Sequence, residues 1–304
     1  MATSLLSFPR TALPAISRAG AITASVTALA FAVLFARPMM LLAQDWWSNP
    51  EAGHGLLLAP LAVWLAWKSG IRPDATGNAV VGVLLLLGAI AVRYLSGLAA
   101  EMFTMRMSMV MAIVGIIVYF YGLRQVLRWW LPLSLFTLSV PLPEILLGRI
   151  ALPLQFKASQ IGTALLQWRD VPVIMTGNVI RIPGHELFVA EACSGLRSLT
   201  ALLSLALLTG GLMLNYPFSR LMLVLLAVPV AVAINGVRVF LTAFLVYFVS
   251  PEFGQGFMHL TEGWLMFLVA LSILAGIAFA ISSGERIFTG FRHPQPALEA
   301  EPNA

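Results

Sequence analysis

The chain has 304 residues, 60% of them hydrophobic and only 10% charged, with a mean hydropathy of +0.91. A soluble domain carries about 25% charged residues, so this composition excludes a water-solvated globule and points to an all-α polytopic membrane protein. The net charge of +5 is mostly arginine. No basic run is interleaved with aromatics, so the excess reads as orientation and headgroup contact with the lipid bilayer, and no nucleic acid is expected as a partner. One cysteine excludes an intramolecular disulfide and a cysteine-clustered metal site, and no cofactor or metal is expected.

Residues 1–18 are small and polar, with Arg10 and Arg18 and no acid. The apolar run 19–36 that follows reads as a signal peptide or an uncleaved anchor. The anchor is favoured, because no small-x-small site is cleanly followed by a mature start. A short second run, 56–67, is bounded by His54-Gly55 and Lys68. The third, 78–100, is interrupted by Arg93, and the fourth, 103–122, holds Arg106 near its start. A fifth, 129–147, is broken by Pro132, Pro141 and Pro143, so its second half is expected to leave regular helix. Runs 193–214, 221–249 and 263–282 complete about eight transmembrane helices within an integral membrane domain, 19–283. The polar, Pro-containing tail 284–304 is expected to be cytoplasmic and disordered.

Positive charge orients this bundle. With the N-terminus inside, the inner segments hold Arg10, Arg18, Lys68, Arg72, Arg124, Arg128, Arg220, Arg286 and Arg292, while the short outer connections hold few basic residues. The expected arrangement is multi-pass in the cytoplasmic (inner) membrane with both termini cytoplasmic. Residues 146–192 then form a small outer cap before the sixth span. Apolar residues at helical spacing over 150–167 predict an amphipathic helix lying at the interface. Beyond it the period changes, and β-branched residues cluster between Thr-Gly-Asn and Pro-Gly-His, which predicts two or three short strands.

The chemistry-bearing residues gather around the sixth, seventh and eighth spans. Cys193 opens a helix where an apolar run begins. A lone cysteine reads as a small buried side chain or, at a helix N-terminus with Arg197 one turn on, as a thiol of lowered pKa and a nucleophile. Glu191 reads as a helix N-terminal carboxylate or as a group that orients a base or repels an acidic substrate. Arg238 lies inside the seventh span, where a charge costs at least ~2.5–3.5 kcal/mol on insertion scales. It calls for a polar cavity, and Asn235 sits on the same helical face; the bland alternative is snorkelling to the headgroups. His259, before the eighth span, and His54, before the second, read by themselves as interfacial polar residues or caps. Three successive spans joined by short connections are neighbours. A thiol, a guanidinium and an imidazole then meet near the outer surface, as acyl transfer through a thioester requires.

Four stretches resemble those of the exosortases and archaeosortases, multi-pass membrane cysteine transpeptidases. They are Gly53-His54-Gly55 with the short span after it, Val189-Ala190-Glu191-Ala192-Cys193-Ser194-Gly195-Leu196, Asn235-Gly236-Val237-Arg238, and His259 with Glu262-Gly263-Trp264. Their order and their positions relative to the spans also match, and the likeness extends from roughly residue 20 to residue 283. The resemblance implies Cys193, Arg238 and His259 as catalytic residues facing the periplasmic side. Glu191, Arg197, Asn235 and His54 are candidate substrate-binding residues. It further implies membrane-anchored protein substrates with a C-terminal sorting signal: a short motif, often Pro-Glu-Pro (PEP-CTERM), then a transmembrane helix and a basic tail. Transfer would be to a cell-surface or polysaccharide acceptor. Competing readings are a transporter or flippase with Arg238 as an anion site, and a non-catalytic component of polysaccharide export. A serine protease using Ser194 lacks the Gly-x-Ser-x-Gly elbow.

Overall fold

The computed structural model describes residues 18–49, 52–188, 195–254 and 256–292. In chain order they form α1 (Arg18–Ser48), α2 (Gly55–Ser69), α3 (Ala79–Leu98), α4 (Met102–Tyr121), α5 (Leu123–Arg128), α6 (Trp130–Leu138) and α7 (Glu144–Trp168). Strands β1 (Ile174–Thr176), β2 (Val179–Ile182) and β3 (His185–Phe188) follow, then α8 (Gly195–Met213), α9 (Pro217–Phe248) and α10 (Gly256–Arg292). Among the described residues, five stretches are helical, long and apolar enough to cross a membrane: Gly20–Ser48, Ala79–Leu98, Met102–Tyr121, Pro217–Phe248 and Leu265–Ile287. Gly55–Ser69 and Leu199–Met213 are apolar but shorter. The protein is a multi-pass, all-α membrane protein.

Local chemistry explains the best-matched boundaries. The Asn78 side chain accepts from the Val81 N–H at 3.1 Å and starts α3. Glu101 does the same for α4, accepting from the N–H groups of Phe103 at 3.0 Å and Thr104 at 2.7 Å and from the Thr104 hydroxyl. These two helices form a tight antiparallel hairpin. At Gly82 a Cβ would come within 2.6 Å of the Tyr119 Cα, so only glycine allows that approach.

The broken fifth run is broken where prolines dictate. Pro132 lies in the first turn of α6, where its missing N–H has no intrahelical acceptor to lose. Pro141 and Pro143 lie in the non-helical link to α7. Carbonyls freed at the break find side chains from elsewhere: the Trp46 indole donates to Ser139 O at 2.7 Å, and His54 Nε2 lies 3.2 Å from Leu138 O. Lipid offers no such partner, so the protein must supply one.

Four features depart from the sequence expectation. First, α1 runs on to Ser48 instead of ending near residue 36, and its Asp45 pairs with the buried Arg106 guanidinium of α4 at 2.6 Å. Second, the amphipathic helix expected over 150–167 starts earlier, at Glu144, and packs along α9. A Cβ at Gly162 would meet Val239 at 2.6 Å, and one at Gly236 would meet Ile161 at 2.6 Å, with Ala158 beside them. Small residues one turn apart let the two backbones close. Third, α10 starts at Gly256, ahead of the expected apolar span, so His259 precedes that span but already stands in the helix. Fourth, α10 continues through Arg292, so residues 284–292 of the expected disordered tail are helical. Within that stretch Glu285 is buried, and its carboxylate accepts from Asn215 N at 2.9 Å, Asn215 Nδ2 at 3.1 Å and Tyr216 N at 3.2 Å at the start of α9. Residues 1–17 and 293–304 lie outside the described residues.

The strands form one antiparallel sheet in the order β1-β2-β3, with Thr176 opposite Val179 and Ile182 opposite His185. Its two-residue turns are the Gly177-Asn178 and Pro183-Gly184 signals, with Gly177 and Gly184 at φ 62° and 80°. Positive φ at the first turn position suits Gly177, and Pro-Gly is the order a type II turn wants. Ile180 and Ile182 point one way and pack on Leu166 of α7 and on Val239, Ala243 and Val246 of α9. Arg181, between them, points outward to a 2.8 Å ion pair with Glu186.

Two tests follow from these contacts. Asp45→Asn leaves Arg106 buried without its carboxylate. It is expected to lower stability by roughly 2–4 kcal/mol, below the full buried-pair range because the Asp45 side chain is 36% exposed. A combined Asp45→Asn, Arg106→Met change should recover most of that loss in detergent-denaturation midpoints. The Glu101 carboxyl is held below its ordinary value of 4.5, first by the Thr104 hydroxyl and then by the Thr104 and Phe103 N–H groups and Arg106, against the opposing cost of burial. A depressed folded pKa contributes stability above the unfolded value, and that stability is lost as pH falls through the folded one. Melting curves from pH 6 downward should therefore show a smaller acid loss in Glu101→Gln than in the wild-type chain.

Candidate active site

Helices α8, α9 and α10 pack as an antiparallel trio. One layer joins Ala206 and Leu214 of α8, Leu223 and Ala227 of α9, and Leu274 and Ala278 of α10. The next joins Leu199 and Leu202, Ala231, and Ala270, with Leu154 of α7 against them. Continuing in the same direction at ~1.5 Å per residue leads to Gly195 after ~6 Å, to Arg238 after ~10 Å and to His259 after ~16 Å. The start of α8, the Arg238 turn of α9 and the first turns of α10 thus gather at one end of the trio.

Arg238 is half-buried on α9. Its neighbour Val239 is locked against Gly162 of α7, and the next turns of α9 carry the sheet. Asn235, one turn back, lines a cavity of ≈ 20 Å³ with Gln155 of α7, Leu199 of α8 and Ala231 and Val232 of α9. Ala151 and Leu154 complete its mostly apolar wall, with Gln155 and Asn235 as its two polar residues. Gln155 Oε1 accepts from the Asn178 side chain at 3.3 Å, so the β1–β2 turn, α7 and the Asn235 face of α9 form one polar seam.

The remaining sequence candidates divide as follows. Cys193 and Glu191 lie outside the described residues, with Cys193 two positions before the first residue of α8. Arg197 is in the first turn of α8, and His259 is in the first turn of α10; the side chains of both are also outside the described set. His54 precedes α2, and its described hydrogen-bond contact is the Leu138 carbonyl of α6, alongside Trp46 and Ser139. Its Nδ1 is buried and has no hydrogen-bond partner among the described residues.

Sequence reasoning missed Gln155 and Asn178. The signal was present as Gln155, Ser159 and Thr163, a polar stripe at i, i+4 on a helix read as merely amphipathic. It also missed Asp45 as the partner of Arg106. Nothing local announces which acid, sixty residues away in the chain, meets an intramembrane arginine.

The profile of a family described as transmembrane exosortase matches residues 46–276, well over half of the chain. No curated protein and no solved structure matches it.

Because the Arg238 turn is set by the α7–α9 contact, overpacking that contact should disturb it. Gly162→Leu is expected to cost ~1–3 kcal/mol, with Gly162→Ala milder. Thermal unfolding of the purified protein measures the loss; an unchanged melting temperature for the leucine variant would contradict the contact.

Proposed function

This chain belongs to the transmembrane exosortase family, and we propose that within it the protein acts as a membrane-embedded cysteine peptidase and transpeptidase. It cleaves C-terminal sorting signals from exported proteins at the outer face of the membrane and passes them to a surface acceptor. The observation that carries the reading is the family match over 46–276, which contains Cys193, Arg238 and His259 together. The convergence of the α8 start, the Arg238 turn and the α10 start at one end of the trio supports it.

The Cys193 thiolate, favoured by the N–H groups and dipole at the start of α8, attacks the scissile carbonyl carbon. Negative charge develops on the carbonyl oxygen, and the Arg238 guanidinium stabilises it inside a low-dielectric site. Collapse breaks the C–N bond, and protonated His259 gives its proton to the leaving amine. A thioester on Cys193 remains. An acceptor nucleophile attacks it, His259 takes the acceptor's proton, and the thiolate leaves. Glu191, Arg197 and Asn235 serve substrate binding, and the sheet offers a surface on which an extended motif can lie as an added strand.

Counting α2, α6 with the first part of α7, and α8 as crossings gives eight spans and puts both termini in the cytoplasm. Basic residues support that orientation. At one end of the bundle Arg72 and Arg124 meet Asp74, Arg128 meets Ser69 O at 2.9 Å, and Arg220 lies 5.0 Å from the Trp130 ring.

Co-expression with a tagged protein ending in a short motif, an apolar span and a basic tail tests the reading. The size shift of the tagged protein should vanish with Cys193→Ala and Cys193→Ser while the enzyme stays inserted. Arg238→Gln should slow cleavage by about 10²–10³-fold, the usual cost of losing an oxyanion donor. Normal processing by Cys193→Ala would sink the peptidase; if Arg238 alone proved essential, the anion-transport reading would take its place.

A further inference from the structure

Helix α2 spans only Gly55–Ser69, beside the long α1 and opposite the nine-residue α6. The mismatch leaves a groove of ≈ 550 Å³ whose walls are Trp46 of α1, Ala59, Pro60, Trp64 and Trp67 of α2, and Phe136 of α6. The Trp46 indole N–H is already committed to Ser139 O, so this wall of the groove is apolar.

One end of the groove carries charge. The Lys68 ammonium sits 4.7 Å from the centroid of the Trp64 ring, on the groove wall itself. The neighbouring cations are engaged: Arg72 and Arg124 with Asp74, and Arg128 with the Ser69 carbonyl. Among the described residues no carboxylate lies within ion-pair distance of Lys68. A trough of tryptophan and alanine thus ends at a half-buried cation held against an indole.

We infer that this groove is a binding site for an anionic phospholipid, with an acyl chain along α2 and the phosphate on Lys68. Charge favours a lipid over a protein helix. A transmembrane helix usually carries basic flanks at its cytoplasmic end, which would meet Lys68 as like charges, whereas a basic residue beside a membrane surface attracts an anionic headgroup. The preference over a zwitterionic lipid should be about fivefold for one such cation.

Tryptophan quenching measures this directly, because Trp46, Trp64 and Trp67 line the site. The full-length protein in detergent micelles is titrated with brominated phosphatidylglycerol and, separately, with brominated phosphatidylcholine. The anionic lipid should quench at about fivefold lower concentration. Lys68→Gln should erase that difference, Lys68→Arg should keep it, and Trp67→Phe should reduce the quenched amplitude. Equal quenching by the two lipids overturns the assignment, as does a difference that persists in Lys68→Gln. Competitive loss of phosphatidylglycerol quenching on adding a synthetic basic-flanked transmembrane peptide would give the groove to a protein helix instead.

Discussion

The close approach of α7 to α9 is the contact on which the functional half of the molecule depends. Gly162 and Gly236 each face a branched side chain of the other helix at a distance that excludes a Cβ. With those two glycines and Ala158, the helices pack along their length, and Val239 is fixed beside Arg238. The sheet rests on the continuation of the same surface, with Ile180 and Ile182 on Leu166, Ala243 and Val246. The polar seam from Asn178 through Gln155 to the Asn235 cavity exists only because α7 is there. In lipid, where apolar burial does little to draw helices together, such small-residue contacts carry the association.

A second constraint governs the other half: a backbone group inside a membrane must find its partner within the protein. Wherever a helix ends early, a long polar side chain reaches across. Trp46 meets the carbonyl at Ser139, and His54 that at Leu138. At the opposite end of α2, Arg128 takes the Ser69 carbonyl, and Gln125 and Trp129 take that of Gly70. Glu285 performs the complementary task for the N–H groups of Asn215 and Tyr216. These contacts give a physical occupation to several polar residues that would otherwise invite catalytic readings. His54 is the clearest case, since its Nε2 lies 3.2 Å from the Leu138 carbonyl of α6.

The two halves of this member of the transmembrane exosortase family are built differently. The trio α8, α9 and α10, with α7 packed against it, brings the start of α8, the Arg238 turn of α9 and the first turns of α10 to one end. The α1–α6 half contributes the buried Asp45–Arg106 pair and the tryptophan-lined groove, features of a body that anchors in lipid. Short α2 and interrupted α6 leave that groove open, so incomplete spans here have a consequence beyond their own packing.

Much of this was legible in the chain alone. Apolar runs with few charges located α3, α4, α8 and α9 closely, Thr-Gly-Asn and Pro-Gly-His marked both turns of the sheet, and Pro141 and Pro143 marked the break after α6. The neighbourhood of the last three spans, α8, α9 and α10, was also legible, from their short connections. All of these signals are local: hydrophobicity, proline and glycine act within a few residues of where they stand. What only the tertiary structure decided was pairing. Asp45, beyond the expected end of α1, meets Arg106 of α4, Glu285 of α10 meets the start of α9, and α7 packs along α9. Each outcome rests on a partner far away in sequence, and no periodicity within a segment records which distant surface will satisfy its charges or admit its glycines.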